Sequence, residues 1–185
     1  MPEVSRMTIP LNQITSMPAF STYFPMPPAR YRNAKFQFVY FRASLDAIGR
    51  VLPECFEPSE TGMCMALGLA VPWSASYGAF DESALSVKCT YEGQEGWFTA
   101  VAFLNSKSSI PAGREIYGTP KVYADFEIGF AERVMYTNTI VGGTTLMSLR
   151  STMHREATED EMPSGDPVWR LKVIPRVDGN GLDVM

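Results

Sequence analysis

Histidine is nearly absent from this 185-residue sequence, in which His154 stands alone. A multi-histidine metal site is therefore excluded, and without a Gly-x-Ser-x-Gly elbow a serine triad has no support either. Cysteine is scarce: Cys55, Cys64 and Cys89 show no C-x-x-C spacing. An odd, dispersed set indicates neither a disulfide framework nor a zinc site, and Cys64 and Cys89 read as small buried hydrophobes inside strands. Basic charge is in deficit, 16 Lys+Arg against 20 Asp+Glu for a net charge of −4, which leaves no footprint for nucleic acid. No apolar run approaches the ~20 residues of a membrane-spanning helix. The opening Met-Pro-Glu-Val lacks a cationic stretch followed by an apolar one, so no signal peptide is read and a reducing cytoplasm is the expected compartment.

Apolar residues are plentiful at 45%, enough for one core in a single domain spanning 1–185. Fourteen prolines, fourteen glycines and 12% aromatics favour short strands with frequent turns over a helix bundle. Residues 1–35 carry Pro2, Pro10, Pro18, Pro25, Pro27 and Pro28 and form an N-terminal arm that wraps over the body. Strands are expected at 36–41, 63–71, 84–91, 97–104, 122–128, 134–141, 144–153 and 169–174. One short helix is expected at 44–52, with Ser44 as its cap and Pro53 as its stop. The spacing predicts a mainly β fold, an antiparallel barrel- or cone-like body with that one short helix. The charge-dense run 155–161 reads as a solvated loop.

Chemistry narrows to Pro111-Ala-Gly-Arg-Glu-Ile-Tyr-Gly-Thr-Pro-Lys-Val-Tyr123. This is no phosphate loop, because Thr119 and Pro120 separate the second glycine from Lys121 and Val122 follows it. A lysine placed after a Gly-Thr-Pro turn at the mouth of an apolar strand can be driven inward. Burial then disfavours its charged form and leaves a nucleophilic amine. Spacing alone still favours an ordinary surface lysine at a strand start.

Taken with other segments in order, this stretch resembles the lysine motif of the acetoacetate decarboxylase family, in which Gly-Arg-Glu precedes a Pro-Lys pair. Ala34–Glu54, Tyr77-Gly-Ala-Phe-Asp-Glu-Ser83 and Trp169-Arg-Leu-Lys-Val-Ile-Pro175 resemble further family segments, so the likeness spans about residues 20 to 181. The resemblance implies Lys121 as the Schiff-base lysine and Glu82 as an active-site glutamate that manages protons. Acetoacetate decarboxylase is itself the established example of a lysine activated by desolvation or a neighbouring cation. The resemblance further implies a small keto-acid substrate, no cofactor and a homo-oligomer, with no nucleic-acid or membrane partner.

Three positions depart from the family pattern. Val122 stands where a second lysine is expected, leaving desolvation by Ile116, Tyr117, Val122 and the aromatics of 36–41 to activate Lys121. Met63–Leu69 contains no acid where another glutamate is expected. Ala34 stands where a substrate-binding arginine is expected, with Arg30 and Arg32 close by. Family members also continue past the position of Met185, so a shortened member or a fragment with an open sheet edge is expected. The leading expectation is decarboxylation of acetoacetate or a related β-keto acid. The alternatives are an aldolase-dehydratase on pyruvate-like α-keto acids, or a non-catalytic small-molecule-binding pocket protein.

Overall fold

A computed structural model describes residues 9–162 and 165–184; the first eight residues of the Pro-rich arm, Pro163, Ser164 and Met185 lie outside it. In chain order the elements are β1 (Tyr31–Arg32), β2 (Lys35–Arg42), α1 (Leu45–Gly49), β3 (Glu57–Pro58), β4 (Met63–Val71), β5 (Trp73–Ser74), β6 (Phe80–Tyr91) and β7 (Gln94–Leu104). There follow α2 (Ser109–Tyr117), β8 (Lys121–Tyr123), β9 (Asp125–Ala131), β10 (Val134–Val141), β11 (Thr144–Thr152), β12 (Val168–Trp169), β13 (Ile174–Pro175) and β14 (Leu182–Val184). The fold is mainly β, as expected.

The larger sheet runs β12-β7-β6-β4-β2, with β3 on β6 and β8 on β7, and its long members are antiparallel. Strands β9, β10 and β11 make a second, three-stranded sheet. Among the described residues these sheets form two layers rather than one hydrogen-bonded ring. Their seam is polar. Gln37 Nε2 donates to Met135 O at 3.1 Å and to Ser151 Oγ at 2.9 Å, Thr137 Oγ1 donates to Gln37 Oε1 at 2.8 Å, and Ser83 and Thr139 share a 2.6 Å hydrogen bond. All four of Gln37, Ser83, Thr137 and Thr139 are buried, so these pairings remove the cost of sequestering polar groups. Two apolar clusters fill the body, one around Ile48, Phe56, Val87 and Phe98, the other around Leu69, Val71, Phe80 and Leu104. Cys64 and Cys89 lie buried in strands as expected, and burial pushes the Cys89 thiol up to about 11.

Three local expectations change. Helix α1 is capped as predicted, Ser44 Oγ accepting from the Ala47 amide at 3.2 Å, but a second helix, α2, occupies 109–117. The predicted strand 122–128 is two strands, because the chain changes sheet at Ala124, whose amide bonds Leu104 O at 2.9 Å. The predicted strand 169–174 is not continuous: Val168 and Trp169 pair in parallel with Trp97 and Phe98, and Ile174 and Pro175 pair instead with β14. In the described part of the Pro-rich N-terminal stretch, Phe24 is buried, 1% exposed.

Candidate active site

Lys121 owes its position to the turn before it. Helix α2 ends at Gly118, whose φ of 68° is the left-handed cap conformation, and its amide bonds Arg114 O at 3.2 Å. The Thr119 amide returns to Gly113 O at 2.9 Å, and Pro120 leads into β8. That strand pairs in parallel with β7, setting Lys121 opposite Ala102, while across β7 Glu82 of β6 stands opposite Leu104. An offset of two residues keeps both side chains on one face. The residue paired with Lys121, Ala102, is small and fully buried. Lys121 Nζ then lies 3.7 Å from Glu82 Oε2, with the two side chains only 13% and 15% exposed. The amine also donates to Ser109 Oγ at 3.3 Å.

The Gly-Arg-Glu stretch of the motif acts through this lysine. The Lys121 stem lies across Gly113, where a Cβ would collide with Cδ and Cε and come 3.0 Å from Nζ. Arg114 Nη1 donates to Lys121 O at 3.2 Å and ties the start of β8 back to α2. Together Lys121 and Glu82 line a cavity of about 540 Å³, a size typical of small-molecule sites. Pro27, Pro28 and Tyr31 bring the N-terminal arm to its wall, and Tyr77 and Tyr117 add aromatic surface.

Burial dominates the electrostatics of the pair. It pushes the Glu82 carboxyl above the usual carboxylate range, against the opposing pull of Lys121 and of Arg170. It pushes the Lys121 ammonium below its usual value; Glu82 opposes this, and the like charge of Arg170 adds to it. Both groups are thus driven toward their neutral forms, in which an amine can attack carbon and a carboxyl can donate a proton.

Some expected neighbours are absent from the cavity. Val122 points to the other face of β8 and is 42% exposed, and neither it nor the β2 aromatics line the cavity. The apolar wall comes instead from Leu69 of β4, which pairs with Glu82. Arg32 stacks over Trp73 with its guanidinium carbon 4.6 Å from the ring centroid, and Arg30 is not among the lining residues. The arginine that does line the cavity is Arg170, which the sequence reading passed over.

Comparison with known proteins settles the family: the model for acetoacetate decarboxylase matches residues 14–185. The chain belongs to the acetoacetate decarboxylase family. It is 30% identical over 177 residues to the acetoacetate decarboxylase of Paraburkholderia phytofirmans, covering 91% of this chain and 68% of that one. Likeness to the Burkholderia mallei acetoacetate decarboxylase is also 30%, over 173 residues, covering 89% and 68% of the two chains. The crystal structure of acetoacetate decarboxylase from Legionella pneumophila matches with a TM-score of 0.82 at 26% identity, covering 92% of this chain and 70% of that one. The enduracididine biosynthesis enzyme MppR, complexed with the condensation product of pyruvate and imidazole 4-carboxaldehyde, shares the fold at a TM-score of 0.73 and 18% identity, covering 86% and 69%. Membership in the acetoacetate decarboxylase family supports a Schiff-base lyase.

Proposed function

We propose that the protein is a Schiff-base-forming lyase acting on a small keto acid, with Lys121 as nucleophile and Glu82 as proton carrier. The observation that carries this reading is the buried Lys121–Glu82 pair at 3.7 Å on the wall of one cavity. The neutral amine attacks the ketone carbon, and water leaves as the imine forms. With a β-keto acid such as acetoacetate, the protonated imine accepts the electron pair of the bond to the carboxylate. Carbon dioxide departs and an enamine remains. A proton delivered to carbon and hydrolysis of the imine then release the ketone and restore the amine. No cofactor enters this scheme.

Incubation with acetoacetate or pyruvate and borohydride, followed by intact mass and peptide mapping, tests the proposal. One reduced adduct on Lys121 is the expected result; the absence of an adduct with either acid would favour the pocket-protein reading. Carbon dioxide release then separates decarboxylation from aldol condensation and dehydration. The second reading rests on the absence of an acid in Met63–Leu69 and on Val122 in place of a second lysine. Self-association is also proposed, and light scattering at micromolar concentration should return a mass above that of one chain.

Two further results are expected from the trapping rate. Glu82→Gln removes the charge that holds the Lys121 value up, so the rise of rate with pH should move to lower pH. Losing the proton donor should at the same time cut the limiting rate by about 10²–10⁴. A rise that moves to higher pH would contradict the assigned coupling. Val122→Lys should leave the profile in place, because position 122 faces away from the cavity; a shift of half a pH unit or more would contradict that orientation.

A further inference from the structure

The charges on the cavity wall do not cancel. Of its lining residues only Glu82, Lys121 and Arg170 carry formal charge, so two cations face one acid in a chain of net charge −4. Lys121 and Glu82 face each other. No ion pair or hydrogen bond engages the guanidinium of Arg170 among the described residues, although it acts electrostatically on both members of the pair.

The backbone that carries Arg170 is fixed on both sides. Upstream, the Trp97 amide bonds Pro167 O at 2.9 Å, Val168 and Trp169 pair with β7, and the Trp169 ring packs on Tyr91 with centroids 5.4 Å apart. Downstream, the backbone of Lys172 presses on Gly118, where a Cβ would stand 2.7 Å from both its N and its Cα. The cap that positions Lys121 therefore also seats the segment bearing Arg170. Arg170 is itself exposed, and its planar, always charged guanidinium at the edge of a partly apolar cavity is suited to bind a carboxylate through two parallel hydrogen bonds.

We infer that Arg170 binds the carboxylate of the substrate, so that the cavity selects keto acids over neutral ketones and retains acids whose carboxylate survives the reaction. The inference rests on the Schiff-base reading above for the word substrate, but not for the binding of an acid. Selection follows from the excess positive charge. Retention follows from transition-state logic: loss of carbon dioxide discharges the carboxylate, so pairing it with a cation stabilises the ground state more than the transition state. Aldol addition and dehydration leave the acid and its ion pair intact.

The test compares pyruvate with methyl pyruvate on the wild-type protein and on Arg170→Gln, with binding read by ligand-observed NMR without borohydride. Arg170→Gln should weaken pyruvate binding about 10- to 100-fold and leave the ester within twofold. Equal loss for acid and ester, or no loss for either, would overturn the inference. Arg170→Lys should recover part of the affinity for the acid, whereas a purely structural role would not follow the charge. Retention is read on the wild-type protein: borohydride added at saturating acetoacetate should trap an adduct that still carries the carboxylate, and finding only the adduct of the decarboxylated ketone overturns that part. Borohydride trapping on the same samples reports on imine formation separately. A protein that binds pyruvate through Arg170 but yields no adduct would refute the Schiff-base reading alone.

Discussion

Lys121→Met will keep the fold and lose the reduced adduct altogether. An ordinary lysine, with a value near ~10.4, offers only about one free amine in a few thousand at neutral pH, so imine formation needs a site that favours the neutral form. Lys121 is the lysine for which burial does this. The sequence holds four others, Lys35, Lys88, Lys107 and Lys172. Lys88 is committed to Asp166 at 2.6 Å and lies over Trp97, Lys35 sits over the Phe130 ring, and Lys107 and Lys172 are exposed. Methionine preserves the length of the stem across Gly113, so circular dichroism and the melting profile should match the parent. Trapping should fall to the level of a no-substrate control. A Lys121→Met protein that still takes up one equivalent of keto acid would place the chemistry elsewhere.

Gly113→Ala should separate stability from activity in the opposite way to most helix substitutions. In a helix interior, alanine is favoured over glycine by roughly 0.5–1 kcal/mol. At position 113 the three atoms nearest the new methyl are Cδ, Cε and Nζ of Lys121, a flexible side chain, so the helix can accept it while the lysine must move. A shift of about 1 Å in a reacting atom can cost on the order of 10²-fold in rate. The expected outcome is a melting temperature equal to or above that of the parent, with trapping slowed about 10- to 100-fold. A trapping rate within twofold of the parent would show that the lysine has another productive path to the cavity.

The same glycine explains what was hard to read from the sequence. Helix α2 contains Pro111, Gly113, two isoleucines and a tyrosine, a poor set by intrinsic propensity, and its Gly113 serves the lysine rather than the helix. Helix α1 was legible because Ser44 marks its start. Strands β4 and β10 were legible to the residue because long apolar or alternating runs end at clear turns. The breaks at Ala124 and after Trp169 depend on which strand is available to pair, a long-range matter with no local mark. For the site, Lys121 and Glu82 came from resemblance to a motif, while their shared face depends on the register across β7. Arg170 lay inside the quoted Trp169–Pro175 segment but drew no role, since its place depends on a parallel docking and on Lys172 meeting Gly118.

The polar seam between the two sheets has a bearing on the chemistry at the opposite face of β6. Apolar layers can slip past one another at little cost, but Ser83–Thr139 and Gln37–Thr137 match only in one alignment. A displacement by one residue would strand several hydroxyl and amide groups in the dry interior, and each such orphan costs about 1–3 kcal/mol. The hydroxyl ladder therefore works as an index pin for β6: with Ser83 latched to the smaller sheet, its neighbour Glu82 has one permitted height, level with the amine across β7.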